Sequence, residues 1–182
     1  WWFDFSSFSE PGSYYVLDVD SNLRSFKFDI KENIYEETMF HALRTFFYQR
    51  SGFAKQPPFA CEEWADGASH LQDKQSRDFL SKNDASTEWD VSGGWYDAGD
   101  YNKYTSWTAS YIVDFMKAFI ENPGVWGDDY NIPESGNNIP DILDEAKWGI
   151  DHLLRLQKPD GSLLSVVGVA HASPPSAATA PS

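Results

Sequence analysis

Gly93-Gly94-Trp95-Tyr96-Asp97-Ala98-Gly99-Asp100-Tyr101-Asn102-Lys103-Tyr104 is the stretch on which the reading of this chain turns. Asp97 and Asp100 stand three positions apart, with only Ala98 and Gly99 between them. Rings flank the pair at Trp95, Tyr96, Tyr101 and Tyr104. Gly93, Gly94, Ala98 and Gly99 carry little or no side chain, so backbone, water or a ligand can approach closely. Flat apolar rings beside two carboxylates suit a site that lays a sugar ring down and handles a water molecule. Other readings fit the same residues. Asp-x-x-Asp beside glycine also makes an Asx turn or a helix N-cap. It can offer oxygens to calcium, although the alternating acids of an EF-hand are missing.

Three more stretches follow a familiar order around this one. Phe46-Phe47-Tyr48-Gln49-Arg50-Ser51-Gly52 precedes it, and Asn138-Ile139-Pro140-Asp141-Ile142-Leu143-Asp144-Glu145-Ala146-Lys147-Trp148 follows it. Leu153-Leu154-Arg155-Leu156-Gln157, with Asp160-Gly161-Ser162, continues the series. Together they resemble glycoside hydrolase family 9, the cellulases built on an (α/α)6 barrel, from residue 34 to residue 176. The resemblance implies inverting hydrolysis of β-1,4-glucosidic bonds. In that reaction one carboxylate activates water on one face of the sugar while a protonated carboxyl serves the leaving oxygen, the two standing ~6.5–9.5 Å apart. Carried over, Asp100 is the general base and Asp97 helps hold the water. Trp95 and Tyr101 are candidate sugar-contacting rings, and His171 matches a family histidine near the sugar subsite. The family's proton donor is a Glu near the C-terminal end of the catalytic domain, and no segment here resembles its surroundings. Two acids this close repel, which raises the pKa of one of them. Lys103 offsets part of that if the chain turns helically there.

Many relatives with a preceding immunoglobulin-like module hold a structural zinc through cysteine and histidine. At the matching places this chain has Ser51 after Arg50 and Ser69 before His70, and Cys61 is its single cysteine. A structural zinc needs about four N or S donors, so no zinc and no other cofactor is expected in this segment. Calcium remains possible in the full-length enzyme, where the family's calcium sites fall further along.

The composition is compatible with this class. A net charge of −14 argues against nucleic acid and anionic membrane as partners; the partner that the resemblance implies is a neutral β-glucan. An acidic surface suits a secreted enzyme, the localisation expected here, and is equally a plain solubility feature. No apolar run is long enough for a transmembrane helix. The start at Trp1-Trp2-Phe3 shows no signal-peptide pattern and reads as a cut within a longer protein.

The chain changes character near residue 32. Ser13 to Asp20 is β-rich, Asp20-Ser21-Asn22 is turn-like, and Ser25 to Ile30 alternates with Phe26, Phe28 and Ile30 on one face. Residues 1–31 therefore read as the last strands of an immunoglobulin-like β-sandwich, by the resemblance, or else as a hairpin packed on a helical domain. Residues 32–182 read as the N-terminal part of the catalytic domain, so the fold expected is mainly α, a partial barrel preceded by terminal β-strands.

Within 32–182 a first helix is expected with Asn33 as its cap and Met39, Phe40, Leu43, Phe46 and Phe47 as its core stripe. Gly52 and Pro57-Pro58 stop it, and residues 51–92 make a long polar loop. A second helix spans Trp107 to Ile120, buried through Tyr111, Ile112, Phe115, Met116 and Phe119. A third starts near Pro140 with Asp141, Asp144 and Glu145 at its positive end, which gives these acids a structural reason. Its expected apolar face is Ile142, Leu143, Ala146, Ile150, Leu153 and Leu154, and Pro159-Asp160-Gly161 makes a turn. By composition Val169 to Ser176 is a flexible linker.

A twelve-helix barrel needs roughly 200 residues at helix lengths of about 11–12 and connections of about 4–6. Three helices supply only the first part, so the chain alone is expected to be an inactive piece of a β-1,4-glucanase. The alternatives are a non-catalytic carbohydrate-binding or structural module, a calcium-stabilised domain, and an exo-acting oligosaccharide hydrolase of the same family. The residues do not choose among cellulose, mixed-linkage glucan, xyloglucan and cello-oligosaccharides.

Overall fold

The computed structural model describes residues 2–168, so His171 and the expected linker lie outside the described residues. The chain divides into two compact units, Trp1–Ala42 and Leu43–Ser182.

The first unit holds four short strands, β1 (Gly12–Tyr14), β2 (Leu17–Asp18), β3 (Leu23–Arg24) and β4 (Phe28–Ile30). They nest as two antiparallel pairs, β1 with β4 and β2 with β3. The expected strand from Ser25 is shorter than its alternation suggests because Ser25 uses its side chain in the ladder. Its hydroxyl accepts from the Val16 N–H and donates to the Phe26 carbonyl, and its own N–H donates to Val16. Phe26 is consequently outside the strand and 96% exposed, not aligned with Phe28 and Ile30. Asn22 makes the expected turn in the left-handed region (φ 50°). Strands of two and three residues do not themselves establish a sandwich.

α1 (Glu36–Gln49) begins in the first unit and ends in the second. Asn33 is not its cap: it is left-handed (φ 54°) and its carbonyl accepts from the Glu36 N–H. Glu36 and Glu37 instead complement the positive end of the helix. In the second unit Leu43 and Phe47 are buried as expected. So is Arg44, whose guanidinium donates to the carbonyls of Phe59, Tyr130 and Asn131 and ties two loops to the helix.

Residues 51–92 form the expected loop, interrupted by single helical turns at Glu62–Trp64, Leu71–Gln75 and Ala85–Thr87. α2 (Thr105–Glu121) packs against α3 (Asp141–Leu156). Ile112 and Phe115 are buried, whereas Met116 is 38% exposed. The face of α3 differs from expectation. Its buried positions are Asp141, Ile142, Asp144, Glu145, Ala146, Gly149, His152 and Leu156, while Ile150 and Leu154 are exposed. Helical spacing is kept, but the inward stripe is rotated onto polar groups because partners for them wait inside. Asp141 is such a case: its Oδ2 accepts from the Tyr130 N–H and the Ser135 hydroxyl, both at 2.7 Å.

After α3 the expected turn forms at 159–161, with Gly161 at φ 86° and Asp160 accepting from the Ser162 N–H. The chain returns to pair β5 (Lys103–Tyr104) antiparallel with β6 (Val166–Val167). No described helix is long and apolar enough to cross a membrane.

Candidate active site

The acid-bearing loop leaves one buried anchor and returns to another. On the entry side, residues 49–51 pair with residues 94–96: the Tyr96 N–H donates to Gln49 at 3.1 Å and the Ser51 N–H to Gly94 at 3.0 Å. Trp95 between them is 3% exposed, with its indole N–H on Glu145 Oε1 at 2.7 Å. Its ring meets Phe46, Tyr111 and Phe115 edge-on. The ring also covers Gly149 of α3, where an added Cβ would stand 2.5 Å from two ring carbons. The expectation that Trp95 offers a face to a sugar is therefore corrected. The core claims both faces because this side chain fills the space between three helices.

Glu145 is the hub of that anchor. Arg50 grips it through Nε and Nη2, at 2.8 to 3.2 Å, and reaches Glu134 through Nη1. Arg50 and Glu145 are both fully buried. Burial works against the Arg50 charge, and Glu145 and Glu134 outweigh it, holding the guanidinium above its ordinary pKa. Glu145 is thus a structural acid as expected, although its partner is Arg50 more than the helix dipole.

The loop itself is a turn closed by the Asp97 N–H on the Asn102 carbonyl at 2.8 Å. Gln49 Nε2 donates to the Asp97 carbonyl at 3.0 Å. Gly94 is required beneath it: φ is 73°, and a Cβ would lie 2.4 Å from the His152 ring. Tyr101 turns the chain in the left-handed region (φ 57°), with its carbonyl taken by His70 Nε2 at 2.9 Å. Its half-buried ring tilts against Tyr96.

Asp97 and Asp100 are both half-buried and near enough to sense one another, but their surroundings differ. Asp100 Oδ2 accepts from the Tyr104 hydroxyl at 2.7 Å and from Asn102 Nδ2 at 3.1 Å, and Oδ1 accepts from the Asn102 N–H at 3.2 Å. Led by the Tyr104 bond, these donors hold the Asp100 carboxyl below the usual carboxylate range. Burial, and then the Asp100 charge, push Asp97 up. The Asx turn weighed from sequence is present, and it is part of what keeps Asp100 ionised.

Lys103 does not offset the acids, contrary to expectation. The chain is extended at 103–104, not helical, so successive side chains go opposite ways. Tyr104 reaches Asp100, and Lys103 enters the core to pair with Asp73 at 2.5 Å. From sequence Tyr104 reads only as a flanking ring, and Trp107, 47% exposed with its ring 5.0 Å from that of Tyr104, only as a helix start. Alternation along Asn102-Lys103-Tyr104 was the available signal.

The zinc implied by the resemblance does not fit the residues present. A carbonyl accepts only, so His70 Nε2 carries the hydrogen toward Tyr101, and Nδ1 must accept from the Ser69 hydroxyl at 2.9 Å. That leaves the imidazole no lone pair for a metal. Ser51 Oγ donates to the Gly93 carbonyl and lies 3.4 Å from the Lys103 ammonium. Hydroxyls beside a resident cation are poor zinc ligands. Among the described residues no group of three or more His, Cys, Asp or Glu could hold a metal.

Comparison with known proteins gives this geometry its setting. The family model for glycosyl hydrolase family 9 matches residues 35–175. A cellulose 1,4-β-cellobiosidase of Acetivibrio thermocellus is 34% identical over 196 residues, covering 93% of this chain and 22% of that protein. A metagenome-derived family 9 endoglucanase superposes with a TM-score of 0.73 at 35% identity, covering 90% of this chain and 29% of that one. A zinc-binding triple mutant of a family 9 endoglucanase gives 0.73 at 31% identity, with 90% and 31% covered. The chain thus spans about a quarter of the length of these relatives. Its three helices correspond to part of the family's (α/α)6 barrel. With a family model covering most of its length and solved structures agreeing in fold, the chain belongs to glycoside hydrolase family 9.

Proposed function

We propose that the 97–102 loop is the water-activating half of an inverting β-1,4-glucanase site, with Asp100 as general base and Asp97 helping to hold the water. The observation that carries this reading is the contrast between the two acids. A general base must be ionised at working pH and within reach of water. Asp100 is held ionised by Tyr104 and Asn102, while Asp97 is pushed the other way and is suited to share a proton with the same water. The proton donor is a carboxyl elsewhere in the full-length protein, across the sugar from this loop.

Tyr101 and the exposed Trp107 are the rings offered to glucosyl units, and Trp95 supports the loop from beneath. His171 remains a candidate sugar contact by resemblance. The substrate is a β-1,4-glucan or cello-oligosaccharide, and the polymer is met outside the cell because it cannot enter. Residues 1–31 are the end of an immunoglobulin-like module, and residues 32–182 open the catalytic domain.

Proton NMR of the full-length protein acting on a cello-oligosaccharide tests the reading. Inversion predicts that the new reducing end appears first as the α-anomer. First appearance of the β-anomer, or no hydrolysis at all, overturns it.

A further inference from the structure

The exit side of the acid loop is held by a buried ammonium group. Lys103 Nζ is fully buried and surrounded by oxygens from three separate segments. Asp73 pairs with it at 2.5 Å, the carbonyls of Gly93 and Val91 accept from it at 2.7 and 3.0 Å, and Ser51 Oγ lies at 3.4 Å. The Gly52 N–H donates to the Ser69 carbonyl, and the Val91 N–H to the Asp73 carbonyl. One side chain therefore joins the end of α1, the 69–75 segment and the strand-like run before Trp95 to the residue that ends the loop.

We propose that Lys103, paired with Asp73, is a positioning residue for the general base: a clamp that fixes the register of the loop's exit leg and so places Tyr104 on Asp100. The inference rests on the proposed role of Asp100. In an extended segment a slip of one residue exchanges the two faces. Lys103 is held inward by Asp73 and by the Val91 and Gly93 carbonyls, which sends Tyr104 outward onto the Asp100 carboxylate. The entry leg is fixed independently by Trp95 and Glu145. Loss of the clamp therefore frees one leg while the other holds, misplacing the base without dissolving the site. Small misplacement of a reacting group costs catalysis far more than binding.

The test is made in the full-length protein with Lys103→Met/Asp73→Leu, which removes both charges and leaves neither stranded in the core. Asp73→Asn, which keeps the side-chain volume, is the second variant. Wild-type hydrolysis and an inactive Asp100→Ala variant first establish the underlying reading, so a failure there is distinguishable. The expected result is a folded protein whose kcat on a cello-oligosaccharide falls by roughly 10- to 100-fold with KM little changed. The acid limb of its pH profile moves upward as Asp100 loses Tyr104. Hydrogen exchange in the 97–104 segment accelerates, a readout that stands apart from activity. Wild-type kcat and pH profile, or unchanged exchange across 97–104, in either variant overturns the proposal.

Discussion

The Tyr104 hydroxyl donates to Asp100 Oδ2 at 2.7 Å, and this one bond is the first cause of the depressed Asp100 carboxyl. Tyr104→Phe removes the donor while keeping the ring against Trp107. Losing a donor to the charged form raises the pKa of Asp100, so the acid limb of kcat/KM moves to higher pH. The plateau falls less than in Asp100→Ala. A pH–rate profile of the two proteins side by side checks this, and an unmoved acid limb removes Tyr104 from the account.

Glu145 and Arg50 make a buried ion pair with Trp95 as third partner. Glu145→Leu leaves Arg50 paired with the partly exposed Glu134. Breaking a buried pair from one side costs about 3–5 kcal/mol. Arg50→Met/Glu145→Leu, which removes both charges, regains a large part of that loss. Denaturant melts of the three proteins report the difference, and equal stability of the single and double variants contradicts it.

The contrast between those two residues shows what was legible in the sequence. Apolar spacing located all three helices, and the turns at Asn22 and Gly161 were marked by their own residue types. The inward face of α3 was not legible, because Glu145 and His152 are buried by partners that lie far away in the chain. Arg50 is 95 residues from Glu145, and Ser92 is 60 from His152. A pattern reader ranks Ile150 and Leu154 above such groups, since the cost of burying a charge is visible locally and its compensation is not. The place of Trp95 is hidden for the same reason: ring content suggests a platform, and the Glu145 contact shows that the indole N–H points into the core. The acid pair itself was legible, while the opposed directions of Lys103 and Tyr104 needed the extended backbone.

His152 is fully buried and stays neutral: burial, with Lys103 and Arg155 nearby, pulls its pKa from 6.5 down to about 3, against the pull of the Ser92 carbonyl. The unfolded chain binds this proton below its ordinary pKa and the folded chain does not. Stability from this group is therefore fully present above about 6.5 and is lost as pH falls toward about 3. Thermal melts of wild type against His152→Gln should show the wild type losing more Tm over that interval. Parallel curves would show that the imidazole does not titrate against folding.

Hydrogen bonds occupy both nitrogens of His70, and an ammonium stands beside Ser51. Zinc added to the full-length protein should leave Tm unchanged, and dialysis should remove any zinc bound through these residues. Stoichiometric zinc that survives dialysis and is lost on His70→Ala would contradict the fit argued for this segment.

The central claim is the assignment of Asp100 as the base. Its most direct measurement is the turnover of a cello-oligosaccharide by the full-length protein carrying Asp100→Ala, beside Asp97→Ala. Removal of a general base lowers kcat by about 10²–10⁴-fold. The account predicts a loss of this size for Asp100→Ala, with oligosaccharide binding retained, and a smaller loss for Asp97→Ala. Turnover by Asp100→Ala equal to or above that of Asp97→Ala would contradict it.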